Sequence, residues 1–249
     1  MLILLFYTFF PRGYFNSMNQ IRQGVAIAIV LFAVKYIIRK EIAKYITCVI
    51  IATLFHYSAI VLILLYWCSS FKFSTRKSLI IFFVIFICRL VDVPRKIMDI
   101  AAFIPTMLNG KYANYIVGFT EDGSFPGFFL IVLLIYGLAL FVKCHNTDLE
   151  YQFLFNMTTL CICVMIFFPG SMPAARYRDY FLMFFIVFSG LYIDYLGKRF
   201  NYMIVYLFIL VMATYFLYSV GHIANLNDSA ISGISGGNIN YEFNFNLLN

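Results

Sequence analysis

Apolar runs at residues 21–38, 45–67, 79–91, 125–142, 151–168, 180–196 and 202–219 follow one another with only short polar connections between most of them. Most come near the about 20 residues that a helix needs to cross the hydrocarbon core of a bilayer. The composition agrees: 63% of the 249 residues are hydrophobic and 12% are charged, against about 45–50% and about 25% in soluble domains. The predicted fold is therefore all-α, a polytopic transmembrane helix bundle of about six to eight membrane segments. The length-to-domain rule for soluble chains does not apply. The formal charge of +7 resides largely in short clusters between the apolar runs. That pattern orients a membrane protein and excludes a nucleic-acid-binding surface.

The bundle is expected to occupy residues 1–219. Residues 1–10 are apolar but too short to span, and they read as the end of a transmembrane helix broken at Pro11-Arg12-Gly13. They carry neither a basic n-region nor a small-residue cleavage site, so they do not read as a signal peptide. Residues 92–124 form the longest polar connection, expected as an outer loop. Residues 220–249 are rich in Asn, Gly and Ser and are expected to be a flexible tail. The basic clusters at 39–44, 72–77 and 198–199 should all face the cytoplasm. A single crossing at 45–67 would put the first two on opposite sides. A re-entrant hairpin broken near His56 would put both inside, with arms of roughly 16 Å each. Charge parity favours the hairpin, and one basic loop outside would restore the single crossing.

Six cysteines and three isolated histidines show no metal-ligand spacing, and the cysteines read as small hydrophobes of the bundle. No metal and no cofactor is expected. An ionisable group inside a membrane segment is, by contrast, a functional candidate. At helical spacing Asn19, Arg22, Gln23 and Ala26 share a face at the mouth of the first full helix. His56 interrupts an otherwise apolar run, and Arg176 stands four residues before Tyr180 at another helix mouth.

These residues carry a resemblance. Asn19-x-x-Arg22-Gln23-x-x-Ala26, a basic loop, then Ala52-x-x-Phe55-His56-x-Ser58-Ala59 look like the EpsG branch of the Wzy-type O-antigen and exopolysaccharide polymerases. Arg176-x-x-x-Tyr180-Phe181 resembles a third element of that branch. Members usually carry more helices ahead of the first motif, so this chain reads as beginning inside a middle helix. The resemblance implies a glycosyltransferase in the bacterial inner membrane. It would move a glycan from undecaprenyl diphosphate to a lipid-linked repeat unit at the outer face. Implied partners are that lipid-linked glycan, the bilayer, a chain-length regulator and a flippase.

The chemistry of the residues fits such a reaction. Arg22 and Arg176 are candidates to hold a lipid diphosphate, because a guanidinium matches phosphate oxygens with a planar fork. His56 is the candidate to act on or position the acceptor hydroxyl, as a base near neutral pH. Asn19, Gln23, Tyr180, Tyr112, Tyr115 and Arg178 are candidate substrate contacts. Plainer roles stand beside these. Arg22 would anchor a helix end, His56 would be a satisfied interior histidine, and Asp179 would neutralise Arg176 or Arg178. Tyr112 and Tyr115 would belong to an aromatic belt, and Arg89 and Asp194 would snorkel or pair. The alternative functions are a flippase or transporter of lipid-linked glycans and an inactive fragment with a structural role. A membrane acyltransferase is disfavoured, since the residue five after His56 is Val61 where an acid is wanted.

Overall fold

A computed structural model describes residues 1–10, 20–68, 73–97, 128–142, 149–168 and 172–231. They form an all-α membrane helix bundle. In chain order the elements are α1 (Leu2–Phe9), α2 (Ile21–Ile38), α3 (Ile42–Phe55), a 3₁₀ helix (Tyr57–Leu64), α4 (Leu65–Cys68), α5 (Thr75–Leu90), α6 (Phe129–Phe141), α7 (Leu149–Phe167), α8 (Met172–Arg199) and α9 (Tyr202–Ile231). Among the described residues three helices, Ile21–Ile38, Leu149–Phe167 and Arg176–Arg199, are long and apolar enough to cross a membrane, and four shorter apolar helices accompany them. Large apolar side chains such as Phe83, Leu130, Phe141, Met203 and Leu210 are exposed on the outside, as a lipid-facing surface requires.

Helix α8 is the centre. Tyr180, Leu182, Phe184, Phe185, Ile186, Phe188, Tyr192 and Ile193 are all buried, so it is covered on most sides, the mark of an interior helix. α1, α2, α6, α7 and α9 all pack against it. It begins at Met172, inside the 169–173 stretch expected as a turn. Pro173 lies in its first turn, where a missing N–H costs no helical bond. On another side Gly190 lets α1 come close: a Cβ there would stand 2.9 Å from the Ile3 Cα.

The 45–67 run does reverse. α3 ends at Phe55, His56 is extended at φ −148° and ψ 109°, and the 3₁₀ helix follows. The Tyr45 hydroxyl donates to the Leu62 carbonyl at 2.6 Å, and the Tyr45 and Tyr66 rings lie 6.0 Å apart. In one straight helix residues 45 and 62 would be about 25 Å apart along the axis. The run is therefore a hairpin with its turn at His56. α2 and α3 form a second, helical hairpin. It is closed by a helix C-terminal motif in which Glu41 N–H reaches the Tyr36 carbonyl (2.8 Å) and Lys40 N–H the Ile37 carbonyl (3.0 Å). Lys40 takes the left-handed conformation there, at φ 59°. Just beyond, Lys44 pairs with Glu41 at 2.6 Å and holds its carboxyl below the usual range. Together the two hairpins bring the start of α2 to the end of α3.

Elsewhere the sequence expectations meet the structure unevenly. Arg89 pairs with Asp92 at 3.4 Å and Asp194 with Lys198 at 2.5 Å. Cys48, Cys88, Cys161 and Cys163 are free thiols. α9 runs on to Ile231, past residue 219 where the last crossing was expected to end. The remainder of the tail, and most of the 92–124 connection with Tyr112 and Tyr115, lie outside the described residues.

Two outcomes follow. With both hairpin ends on the cytoplasmic side, Ser74→Cys in a background without the six native cysteines stays unlabelled by an impermeant thiol reagent added from outside. Strong labelling there rules that placement out. Gly190→Ala drives a methyl into the Ile3 backbone, and overpacking of this kind costs about 1–3 kcal/mol. That exceeds the ~1 kcal/mol which alanine gains over glycine in a helix. The expected result is a lower unfolding temperature in detergent, and an unchanged or higher one would show that α1 is not seated there.

Candidate functional site

Three chain segments meet at the open end of the double hairpin. The start of α2 supplies Gln20, Ile21, Arg22 and Gln23, and the end of α3 and its turn supply Thr53, Leu54, Phe55, His56 and Tyr57. The first turns of α8 supply Arg176. Together they line an open cleft of about 710 Å³, within the size range of small-ligand pockets. Two arginines, a histidine and two amides, from three segments far apart in sequence, thus share one wall system. Arg22 and Arg176 lie near the N-terminal ends of α2 and α8, where the helix dipole is positive.

Gln23 ties two of the segments together. Its Nε2 donates to the Arg176 carbonyl at 2.7 Å, although 153 residues separate them in sequence. That bond fixes the amide orientation, so Oε1 is the acceptor left over. Oε1 is buried and has no partner among the described residues. Gln23 lines the cleft, and a hydroxyl or N–H that reached Oε1 would satisfy it. Arg22 is exposed at the rim, while Gln23 and Ala26 turn inward. Asn19, predicted on the same face, lies outside the described residues.

His56 is half-buried and stacks on Tyr57, with ring centroids 5.6 Å apart and planes at 12°. Its Nδ1 is 2.6 Å from Ser58 Oγ and 3.4 Å from the Tyr180 hydroxyl, and those two oxygens are 3.3 Å apart. Ser58 is 4% exposed and Tyr180 1%. Tyr180 therefore lies behind His56 and not on the cleft wall, where a substrate contact was expected. Arg176 and Tyr180 do share one face of α8, as their spacing predicts.

Arg178 is brought elsewhere. It is 4% exposed, its guanidinium 5.7 Å from the Phe128 ring and its Nε 3.9 Å from Asp179 Oδ1. It belongs to the bundle interior, away from the cleft. Of the predicted site residues, Arg22, Gln23, His56 and Arg176 line the cleft and Tyr180 reaches it through His56. Ser58, Thr53 and Gln20 were not predicted. Ser58 sits inside the second motif, but two residues after His56 it would point away on a regular helix. No group of three or more metal-ligating side chains occurs among the described residues.

Comparison with curated proteins and with solved structures gives no match. A family model does match, and it spans residues 1–243, nearly the whole chain. With that membership come a polysaccharide-polymerase type of function and a glycosyltransferase-like chemistry in the membrane. The chain belongs to the EpsG family.

Proposed function

We propose that this protein is a polysaccharide polymerase of the bacterial inner membrane that works on lipid-linked glycans at the outer face. The observation that carries the reading is the convergence of Arg22, Arg176 and His56, from three separate segments, on one open cleft. Two guanidiniums suit a polyprenyl diphosphate, whose oxygens take charge as the glycan leaves. His56, at the hairpin turn, lines the same cleft as the two arginines. The glycosidic bond to diphosphate breaks and a new one forms to the acceptor oxygen. The displaced hydroxyl proton is taken up by the diphosphate, so no nucleotide sugar and no metal is needed for the balance.

Charge-assisted contacts of this kind are worth about 1.5–3 kcal/mol each. Made mainly in the transition state, each would change the rate by roughly tenfold to over a hundredfold. Arg22→Ala and Arg176→Ala should therefore shorten the glycan, and Lys should rescue poorly because it keeps the charge and loses the fork. His56→Ala should lower the rate by about 10²–10⁴-fold, the loss expected for a group that acts on the acceptor hydroxyl. The test is complementation of a polymerase-null strain, scored as glycan chain length at matched protein level. Normal long chains from both arginine variants sink the clamp. Purified protein that moves lipid-linked repeats across the bilayer without lengthening them is a flippase instead.

A further inference from the structure

The cluster behind the cleft contains a proton count that decides how His56 meets its substrate. Three polar groups share it: the Tyr180 hydroxyl, the Ser58 hydroxyl and His56 Nδ1, at mutual distances of 3.3, 2.6 and 3.4 Å. Both hydroxyls are buried, and neither has another partner among the described residues. Each hydroxyl carries one proton that needs an acceptor. If Nδ1 is unprotonated, Tyr180 donates to Ser58 Oγ and Ser58 donates to Nδ1, and every proton is placed. The donors line up in one direction, so each polarises the next. If Nδ1 is protonated, three protons face only two acceptors. One buried hydroxyl proton is then left over, with the desolvation loss that brings.

We infer that Ser58 and Tyr180 are positioning residues that keep the imidazole proton on Nε2, so that neutral His56 presents an N–H donor, not a base, to the cleft. Nε2 has no partner among the described residues, and the ring lines the same cleft as Arg22 and Arg176. A neutral donor beside two guanidiniums completes a site for an anion. Resting on the diphosphate reading above, Nε2–H is assigned to a diphosphate oxygen, where it stabilises charge without giving up its proton. This replaces the sequence expectation of a base at His56. A base at Nε2 would need Nδ1–H, the state that this cluster disfavours.

The test is nitrogen-15 NMR of the full chain, labelled at histidine and held in nanodiscs. Only His56, His145 and His222 give signals, and loss of the His56 signal in a His56→Gln variant assigns it. The expected native spectrum has an unprotonated, hydrogen-bonded Nδ1 and a protonated Nε2. Ser58→Ala should move Nδ1 toward the shift of an unbonded ring nitrogen, Ser58→Thr should restore it, and Tyr180→Phe should give a smaller change in the same direction. An unchanged unfolding temperature in detergent reports that each variant is folded. A proton on Nδ1 in the native protein, or an Nδ1 shift untouched by Ser58→Ala, overturns the inference. Adding farnesyl diphosphate should then shift the Nε2–H signal, and farnesol should not. Direct binding of farnesyl diphosphate with every His56 signal unmoved overturns the donor role. Absence of any binding overturns the clamp of the preceding section and leaves the proton lock, read in the ligand-free protein, supported.

Discussion

Inside a bilayer, a carbonyl or N–H that leaves helical geometry has no water to turn to, and each one left bare costs several kcal/mol. The reversal at His56 depends on meeting that demand from within. The His56 N–H donates to the Ala52 carbonyl at 3.0 Å and the Ala59 N–H to the His56 carbonyl at 2.9 Å. At the far end of the returning arm, the buried Tyr45 hydroxyl caps the Leu62 carbonyl. A 3₁₀ arm has poorer internal bonds than an α-helix, and this one is clasped to α3 by that side chain. With the arm in place, the turn lies beside the start of α2, and a cleft exists. In a straightened run Ser58 would face away from His56, and the cluster behind the cleft would not form.

A second set of hydrogen bonds keeps the rest of the bundle in register. The Tyr136 hydroxyl meets Thr159 Oγ1 at 2.5 Å, and the Tyr192 hydroxyl donates to the Val142 carbonyl at 3.0 Å. Apolar side chains alone specify little between helices in lipid, since the tails outside are equally apolar. Interhelical hydrogen bonds are worth about 0.6–2 kcal/mol there, and they select one rotation of each helix. These bonds join α6 to α7 and α8 to the end of α6, leaving α8 with a defined face toward α2 and the hairpin turn.

The fold class was legible because it follows from run length and apolarity alone. The hairpin was legible for a different reason: the basic residues around 39–44 and 72–77 conflict with a single crossing, and charge parity registers that without any coordinates. The site was legible where a residue type was unusual for its surroundings. Arg22, His56 and Arg176 each stand out in an apolar chain, and all three line the cleft. Ser58 was not, because its role hangs on one backbone angle. On a regular helix it would face away from His56, and the extended conformation at residue 56 turns it back. Arg178 and Arg176 look alike in sequence. Two residues apart on one helix, they face different ways, and only packing decides which side is interior. Tyr180 shows the converse: its spacing from Arg176 gave the right face but not its depth.

Gly190 lies on the same unbroken helix as Arg176, fourteen residues and about 21 Å further along the axis. A helix without a kink is a stiff shaft, so its two ends cannot turn independently. The close seat of α1 against Gly190 therefore acts as a bearing for the cleft. It sets the azimuth of α8, and with it the bearing of the Arg176 side chain and the distance at which the Tyr180 hydroxyl stands from Ser58. An alteration of α1 that touches no cleft residue would reach the cleft as a rotation, felt by the cation and the hydroxyl together.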